Sequence, residues 1–261
     1  MDIVCNDRKG CDICDIKTSS NSDASVPGTE NRTDCLVCGV EVEYLDEAIS
    51  GTCYYCGVGE ETYFVCRNGH YVCNRCHSKE AIAVIENICL SSEGNNPLAI
   101  AEKIMEHPAI HMHGPEHHAL VPAVLVAAYK NHRGLKKETA VLEAIKRGRT
   151  VPGGYCGLYG ACGAGIGVGI AVSVLLKATP LTPSERSEAN LATSKTLVSI
   201  AAAGGARCCK KATRLALEDG MKYLSDRFDL EWYERADFSA ECDYTQFNRE
   251  CDSNCRYRND G

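Results

Sequence analysis

The sequence predicts a mainly α-helical protein that carries a small metal-binding module, of the double zinc-ribbon or treble-clef type, near its N-terminus. A block of closely spaced cysteines and histidines between residues 35 and 77 indicates the module. From about Lys79 to Phe228 the chain turns to Ala/Leu/Ile/Val stretches with helical spacing, and no alternating β-rich run of useful length lies outside the block. We therefore expect four segments: a cysteine-containing N-terminus and linker (1–34), the zinc-binding module (35–78), a helical domain (79–228) and a cysteine-bearing tail (229–261).

The composition limits the class of protein, its charged partners and the redox compartment in which it is expected. Hydrophobic residues at 44% and charged residues at 24% are ordinary for a globular protein, and a net charge of −7 argues against nucleic acid as a bulk electrostatic partner. The 18 cysteines are unusual, and the opening MDIVCNDRKG lacks the apolar stretch of a signal peptide. We expect a cytoplasmic protein, because thiols stay reduced there and clustered cysteines then tend to bind metal.

The segment from Ala161 to Leu176 is a candidate membrane span. It is uncharged, but its 16 residues fall short of the roughly 20 that a spanning helix needs, and four of them are glycines. The segment therefore predicts a buried helix and no membrane partner.

Four cysteine or histidine pairs make up the block, which reads CLVCG, CYYCG and CRNGHYVCNRCH. Two residues between paired cysteines let both thiolates reach one ion about 2.3 Å away, so two such knuckles supply one tetrahedral site. The block predicts two structural zinc ions, with an iron–sulfur cluster or unpaired thiols as the alternative, and the pairs combine either sequentially or in a crossed brace. Because about forty residues cannot bury enough apolar surface to fold alone, we expect metal to stabilise the module. The eight candidate ligands are Cys35, Cys38, Cys53, Cys56, Cys66, His70, Cys73 and Cys76.

Two further cysteine groups flank these domains. The N-terminal group is expected to form either a weak third metal site or exposed thiols. The C-terminal group has the spacing C-x8-C-x3-C, and it is expected to supply a metal ligand, to cover a site as a lid or to belong to an exposed tail. The groups are Cys5, Cys11 and Cys14, and Cys242, Cys251 and Cys255.

Capping signals predict the helices of the central region. Pro97 is expected in the first turn of one helix, and two later helices close on Gly134 and Gly148. A long glycine-rich helix should end near Lys177.

The last two helices have equally clear starts. Thr182 is expected to cap a helix with Pro183 in its first turn and Glu185 reaching back as a capping box, and this helix should run to about Ala203. A final helix is expected over residues 208–224.

Histidines are concentrated in the stretch HPAIHMHGPEHHAL. His117 and His118 are expected in the first turn of a helix, whose dipole lowers the pKa of an imidazole and keeps it neutral as a ligand or base. Glu116 beside them is a candidate general acid or base. The alternative is a polar loop and helix cap in which one or two histidines pack against the core. The five histidines are His107, His111, His113, His117 and His118.

A glycine-rich stretch, VPGGYCGLYGACGAGIGVG, carries Cys156 and Cys162. It matches neither a dinucleotide-binding fingerprint nor a P-loop. Alternating glycines cannot form one helical stripe, so they predict a helix whose backbone is approached closely on several sides.

Cys208 and Cys209 follow a Gly-Gly break and open a helix. The helix dipole and the neighbouring basic residues are expected to lower the pKa of both thiols. Together with Cys156 and Cys162 they could hold an iron–sulfur cluster, with Cys209 as a ligand or as a free nucleophile, redox thiol or sulfur acceptor. The alternative is that these cysteines are small buried packing residues.

Several of these motifs together resemble an uncharacterised prokaryotic family that is found mainly in anaerobes and is sometimes attached to methyltransferases. The resemblance rests on CLVCG, GHYVCNRCH, MHGPEHHALVPAVLVAAYKNHRG, VPGGYCGLYGACGAGIG and GGARCCKKA, and covers about residues 35 to 255. It implies the architecture and little chemistry.

A weaker similarity links VPAVLVAAY, GGYCG and ARCCKKA to the iron–sulfur L-serine dehydratases and cysteine desulfidases. That similarity implies a cluster with an open iron that acts as a Lewis acid in eliminating water or sulfide. The cysteine spacing of this chain differs from theirs.

Three functions follow from these observations. The first is a metal-binding enzyme, an iron–sulfur-dependent lyase or sulfur-handling enzyme, that acts on a small or sulfur-containing substrate with His117, His118 or Glu116 moving protons. The second is a redox or cluster-carrier protein. The third is a non-enzymatic module whose zinc sites support a protein partner.

Overall fold

A computed structural model describes residues 34–232 and 240–259, which form a zinc-ribbon-like hairpin module followed by a helical domain and a C-terminal segment. The predicted mainly α-helical fold with a small N-terminal module is confirmed. Cys5, Cys11 and Cys14 lie outside the described residues, so the expectation about them stays a prediction.

The N-terminal module, which we call the ribbon, is built on two antiparallel strands, β1 (Val42–Thr52) and β2 (Gly59–Cys66). The strands pair from Val42 with Cys66 to Thr52 with Gly59, with an irregularity between Tyr44 and Ile49. A short helix, α1 (Asn74–His77), follows.

The glycine after each CxxC pair explains why the motif reads CxxCG. Gly39 and Gly57 have φ angles of 71° and 70°, in the left-handed region that favours glycine. Their N–H groups donate to the carbonyl oxygens of Cys35 and Cys53 over 2.8 and 2.9 Å. These turns fold each pair of thiols toward one point.

The helical domain is organised around one central helix that is apolar on all sides. This helix is α4, and its residues from Glu116 to Ala128 are all buried because α2, α3, α5, α7 and α9 pack around it. The helices are α2 (Lys79–Ser91), α3 (Pro97–Met105), α4 (Glu116–His132), α5 (Glu138–Gly148), α6 (Tyr155–Leu158), α7 (Gly163–Leu176), α8 (Pro183–Ala202) and α9 (Cys209–Phe228).

The alternating glycines of α7 let two neighbouring helices approach it from opposite sides. Residues two apart on a helix point about 200° apart. A Cβ atom at Gly167 would meet Val121 of α4 at 3.1 Å, whereas one at Gly169 would meet the carbonyl oxygen of Ala189 of α8 at 2.7 Å. The predicted close approach on several sides is therefore helix packing. Within the described residues, no helix has the length and apolar character that crossing a membrane requires.

Three helix predictions need correction. The expected single glycine-rich helix is divided into α6 and α7 by a turn in which Gly160 has a φ of 65°. Pro183 does begin α8, but the capping box does not form, because the Thr182 hydroxyl bonds with the N–H and carbonyl of Thr179 instead. The last helix begins at Cys209 and extends to Phe228, beyond the predicted Leu224.

The C-terminal segment packs against α9 and is not an exposed polar tail. Cys242 and Tyr257 are buried together with Leu215 of α9. The Tyr257 hydroxyl donates to the Glu218 carboxylate over 2.7 Å. This packing brings the C-terminal cysteines to the start of α9.

Candidate metal centres

The first cysteine pair of the ribbon meets the third pair. The Sγ atoms of Cys38 and Cys66 lie 3.8 Å apart, and the His70 Nδ1 lies 3.3 and 3.5 Å from them. With Cys35, these donors all lie within 4.8 Å of one another. Bonds of about 2.3 Å from sulfur to a tetrahedral ion separate two ligands by about 3.8 Å, so the spacing suits one metal ion.

The second pair meets the fourth in the same way. Cys53, Cys56, Cys73 and Cys76 converge within 4.8 Å, and the Sγ atoms of Cys56 and Cys73 are 3.7 Å apart. The pairing is therefore the crossed brace, one of the two arrangements that the spacing left open. Both clusters can bind metal ions.

Backbone N–H groups prepare some ribbon thiols for metal binding. The Val40 N–H is the main cause that lowers the pKa of Cys38 to about 6. Burial raises the pKa of Cys53, but N–H groups led by that of Cys73 outweigh it and lower the pKa to about 6. Since the thiolate is the form that binds metal, these contacts favour ligation.

The four cysteines expected to hold an iron–sulfur cluster do not share one pocket. The Cys208 thiol accepts the Lys211 N–H over 3.4 Å and lines a pocket with the C-terminal cysteines. Cys156 and Cys209 line a different cleft, of about 130 Å³, between the ribbon and the helical domain. Cys162 is the N-cap of α7 and is close enough to Cys156 and Cys209 for mutual electrostatic effects.

We call the first of these the tail pocket, because its walls are α9 and the C-terminal segment. Arg258 Nη1 lies 3.9 Å from the Cys251 Sγ, and Arg214 interacts with the Cys242 thiol. Lys211 adds a third basic group. The cysteines of the tail pocket are Cys208, Cys242, Cys251 and Cys255.

The expected lowering of the pKa at Cys208 and Cys209 is wrong. Burial raises the pKa of Cys209 to about 12, with Arg207 opposing it only in part. Burial also raises the pKa of Cys208, despite the N–H of Lys211. Without a metal these are neutral thiols and not activated nucleophiles.

His117 and His118 are held by hydrogen bonds in the first turn of α4. The ring nitrogens of His117 lie 3.0 Å from the Thr213 hydroxyl and 3.0 Å from the His111 carbonyl oxygen. His118 Nδ1 lies 2.9 Å from the Val151 carbonyl oxygen. Burial lowers the pKa of His117 to about 4, so its ring is neutral, and both its nitrogens are occupied.

Glu116 is buried between two histidines that sequence reasoning did not connect to it. Its Oε1 lies 3.1 Å from the His111 Nδ1, and its Oε2 lies 3.5 Å from the His77 Nδ1. Burial opposes ionisation, but the two histidines hold the pKa of Glu116 well below its usual range. His77 comes from the ribbon, and no local sequence pattern links it to Glu116, almost forty residues later. In the sequence, only the closeness of His111 to Glu116 could have indicated this group.

One family of proteins, described as a family of unknown function (DUF5714), matches residues 85–258. The chain belongs to the DUF5714 family. The resemblance to an uncharacterised family is thereby confirmed, although the matched DUF5714 region begins within α2 and not at the ribbon. It includes Glu116, His111 and the four cysteines of the tail pocket.

No curated protein and no solved structure matches the chain. The weaker similarity to L-serine dehydratases and cysteine desulfidases therefore finds no support outside the short motifs that suggested it.

Proposed function

We propose that this chain is a zinc-stabilised iron–sulfur protein that transfers electrons. In this proposal the ribbon binds two structural zinc ions through its eight cysteine and histidine ligands, and the tail pocket holds one iron–sulfur cluster. The boundary after residue 78 then separates a structural module (35–78) from a redox part, which comprises the helical domain (79–228) and the cysteine-bearing tail (229–261). The observation that carries the proposal is the meeting of four cysteines from two distant segments in one pocket lined by basic side chains.

The four thiols of the tail pocket do not all lie within the 4.8 Å that joins each ribbon set, which suits the ligands of a cluster better than those of a single ion. Among the described residues, the two ribbon sets bring four donor atoms within 4.8 Å of one another, whereas the tail-pocket thiols are arranged around a pocket. A cluster separates its sulfur ligands more widely than one ion does, and the tail pocket, about 20 Å³ in volume, has to widen by movement of the C-terminal segment to accept one.

The charges of the pocket also suit a cluster. Four thiolates on an iron–sulfur core leave a net negative charge. Lys211, Arg214 and Arg258 supply positive charge beside them, offset in part by Asp252 in the same pocket and by Glu102, which pairs with Arg214. Basic groups and hydrogen bonds near the sulfur atoms stabilise the reduced, more negative state and tune the potential.

Four cysteine ligands favour electron transfer over elimination. A cluster whose irons are all bound by protein has no open iron to act as a Lewis acid toward a substrate. The four cysteines would hold such a cluster, which would supply one-electron transfer between carriers. Of the proposed proton-moving residues, His117 has both ring nitrogens in hydrogen bonds, which further disfavours a lyase.

A reducing compartment such as the cytoplasm fits this function. All 15 cysteines in the described part of the chain are free thiols. Clustered free thiols and labile clusters persist where glutathione and thioredoxin keep cysteines reduced.

The experiment is to purify the full chain anaerobically and to measure iron, acid-labile sulfide and the visible spectrum. Cys208→Ala and Cys209→Ala form a matched pair, because these neighbours face different pockets. We expect about four irons and four sulfides per wild-type chain, loss of both in Cys208→Ala and retention in Cys209→Ala.

Two results would overturn the assignment. A wild-type chain without iron and sulfide would exclude the cluster. Loss of iron in Cys209→Ala with retention in Cys208→Ala would move the cluster to the cleft of Cys156 and Cys162.

A further inference from the structure

Three donor atoms from separate parts of the chain meet at the junction of the ribbon and the helical domain. His77 is the last residue of α1, His111 lies in the loop before α4, and Glu116 is the first residue of α4. One donor atom from each lies within 4.8 Å of the other two. None of the three belongs to the ribbon clusters or to the tail pocket.

The contact between Glu116 and His77 is not an ordinary hydrogen bond. The Glu116 side chain is fully buried, and its Oε2 has no hydrogen-bond partner. The His77 Nδ1 faces it at 3.5 Å and also has no partner. Buried polar atoms normally have partners, so two unpaired atoms that face each other call for a third atom between them.

We propose that His77, His111 and Glu116 bind a divalent transition-metal ion. Zinc bonds of about 2.0–2.1 Å to nitrogen and oxygen place the ligands of a tetrahedral site about 3.3 Å apart. The Glu116 oxygens lie 3.1 and 3.5 Å from the two Nδ1 atoms, which brackets this spacing. Two imidazoles and one carboxylate suit zinc or ferrous iron and do not suit a cluster that needs thiolates.

Three protein ligands leave a coordination position open, and the structure offers a route to it. His77 and His111 line a cleft of about 1090 Å³ on the surface. Arg75, Lys79 and Arg149 line the same cleft and outnumber its one carboxylate, Glu80. These positive charges favour a small oxyanion as the outside ligand of the metal, so this site has the form of a catalytic centre and not of a closed structural one.

The ribbon contributes one ligand, His77, so the metal sites of the ribbon control the site formed by His77, His111 and Glu116. His77 directly follows Cys76, a donor of the second ribbon cluster. Folding of that cluster fixes α1 and with it the His77 ring. The helical domain alone supplies only His111 and Glu116.

The test uses the full chain with zinc in the ribbon, titrated with Co²⁺ under anaerobic conditions. A site of two nitrogens and one oxygen gives weak visible cobalt bands without the intense thiolate charge-transfer bands that a cysteine site gives. We expect wild type to bind about one further equivalent with this spectrum, and azide to shift the bands because a position is open. Glu116→Gln and His111→Ala should each lose these bands.

His107→Ala is the matched control, because His107 lines the same cleft but is not one of the three donors. It should bind Co²⁺ like wild type. Circular dichroism and a ribbon zinc content equal to that of wild type identify which variants fold. If Glu116→Gln does not fold, the less buried His111→Ala decides the question.

Several outcomes would overturn the proposal. They are the absence of any difference in Co²⁺ binding between wild type and folded His111→Ala or Glu116→Gln, and thiolate charge-transfer bands in that difference spectrum, from which the tail-pocket thiols cancel because they are the same in each chain. Equal losses in His107→Ala and His111→Ala would indicate nonspecific binding in the cleft and would also contradict it.

Discussion

Cys208 and Cys209 are consecutive residues whose side chains enter different pockets. Cys208 is the N-cap of α9 with an extended backbone, and Cys209 is the first helical residue. The change of backbone conformation between them turns one thiol toward the C-terminal segment and the other toward the ribbon. A Cys-Cys pair at a helix start can therefore serve two separate sites.

Thiol reactivity should distinguish Cys156 from Cys209, although they line the same cleft. Cys156 is exposed, whereas burial raises the pKa of Cys209 to about 12 and leaves almost no thiolate near neutral pH. In the native apoprotein we expect iodoacetamide to alkylate Cys156 at least about tenfold faster. Peptide mass spectrometry after timed quenching measures both rates, and equal rates would show that Cys209 is accessible in the native state.

Arg214 and Glu102 form a buried ion pair that should be important for stability. Two parallel hydrogen bonds of 2.6 and 2.7 Å join them, and the Arg214 side chain is 1% exposed. Arg214→Met leaves the Glu102 carboxylate without its partner, and we expect a loss of about 3–5 kcal/mol in the free energy of unfolding. Urea denaturation of the metal-loaded chain measures this loss.

The control for that variant is Arg227→Met. Arg227 pairs with Glu188 at the surface and is 43% exposed. Solvent screening limits such a pair to about 0–1 kcal/mol. A similar loss in both variants would contradict the importance given to the buried pair.

At the level of elements, the close packing of helices against the glycines of α7 can be tested by replacing a glycine with alanine, which adds a methyl group. The Cβ atom of Gly169→Ala would lie 2.7 Å from the carbonyl oxygen of Ala189, and backbone cannot move aside as a flexible side chain can. We expect a loss of about 1–3 kcal/mol, measured by thermal or urea unfolding. Gly157→Ala in α6 meets no atom within 4 Å and should be neutral or slightly stabilising, so equal effects would argue against close α7–α8 packing.

Local sequence signals predicted most of the helices but not the structure at their ends. Pro97 and Pro183 mark helix starts because proline fits the first turn, and both helices begin there. Thr182 does occupy the N-cap of α8, but the capping box was wrong, because a hydroxyl in a turn can bond to the preceding backbone instead. The break before α7 was missed because glycine is compatible with both helix and turn, so Gly160 gives no decisive signal.

At the scale of the molecule, the spacing of the chain predicted the ribbon ligands but not the junction between domains. A CxxC pair encodes its own geometry, so most of the eight candidate ligands could be chosen before the fold was known. The approach of His77 to Glu116 depends instead on how the ribbon docks. Two polar contacts help to fix this docking, from the Gly153 N–H to Asn74 Oδ1 at 3.3 Å and from Arg207 to the Tyr44 hydroxyl. Contacts between residues so distant in sequence leave no periodic pattern.

Removing zinc should unfold the ribbon and leave the helical domain folded. The buried apolar cluster of the ribbon consists of Cys53, Tyr71 and Cys73, two of which are proposed metal ligands, whereas the helical core is large and includes none of the proposed ligands. Without metal the ribbon has too little apolar burial to offset its conformational entropy. After chelation we expect rapid proteolysis within residues 42–77 and a largely preserved helical circular dichroism signal.

Single substitutions separate this effect from damage by the chelator. Cys53→Ala removes one proposed zinc ligand and should reproduce the proteolysis, whereas Cys89→Ala removes a buried cysteine of the helical core and should not. Cys53→Ala should also abolish the cobalt bands assigned to His77, His111 and Glu116, because His77 then loses its support. If the helical signal collapses together with the ribbon, the two domains fold as one cooperative unit and the proposed hierarchy is wrong. If the ribbon opens while the cobalt bands remain, His77 is not a ligand, since the other two donors belong to the part that stays folded.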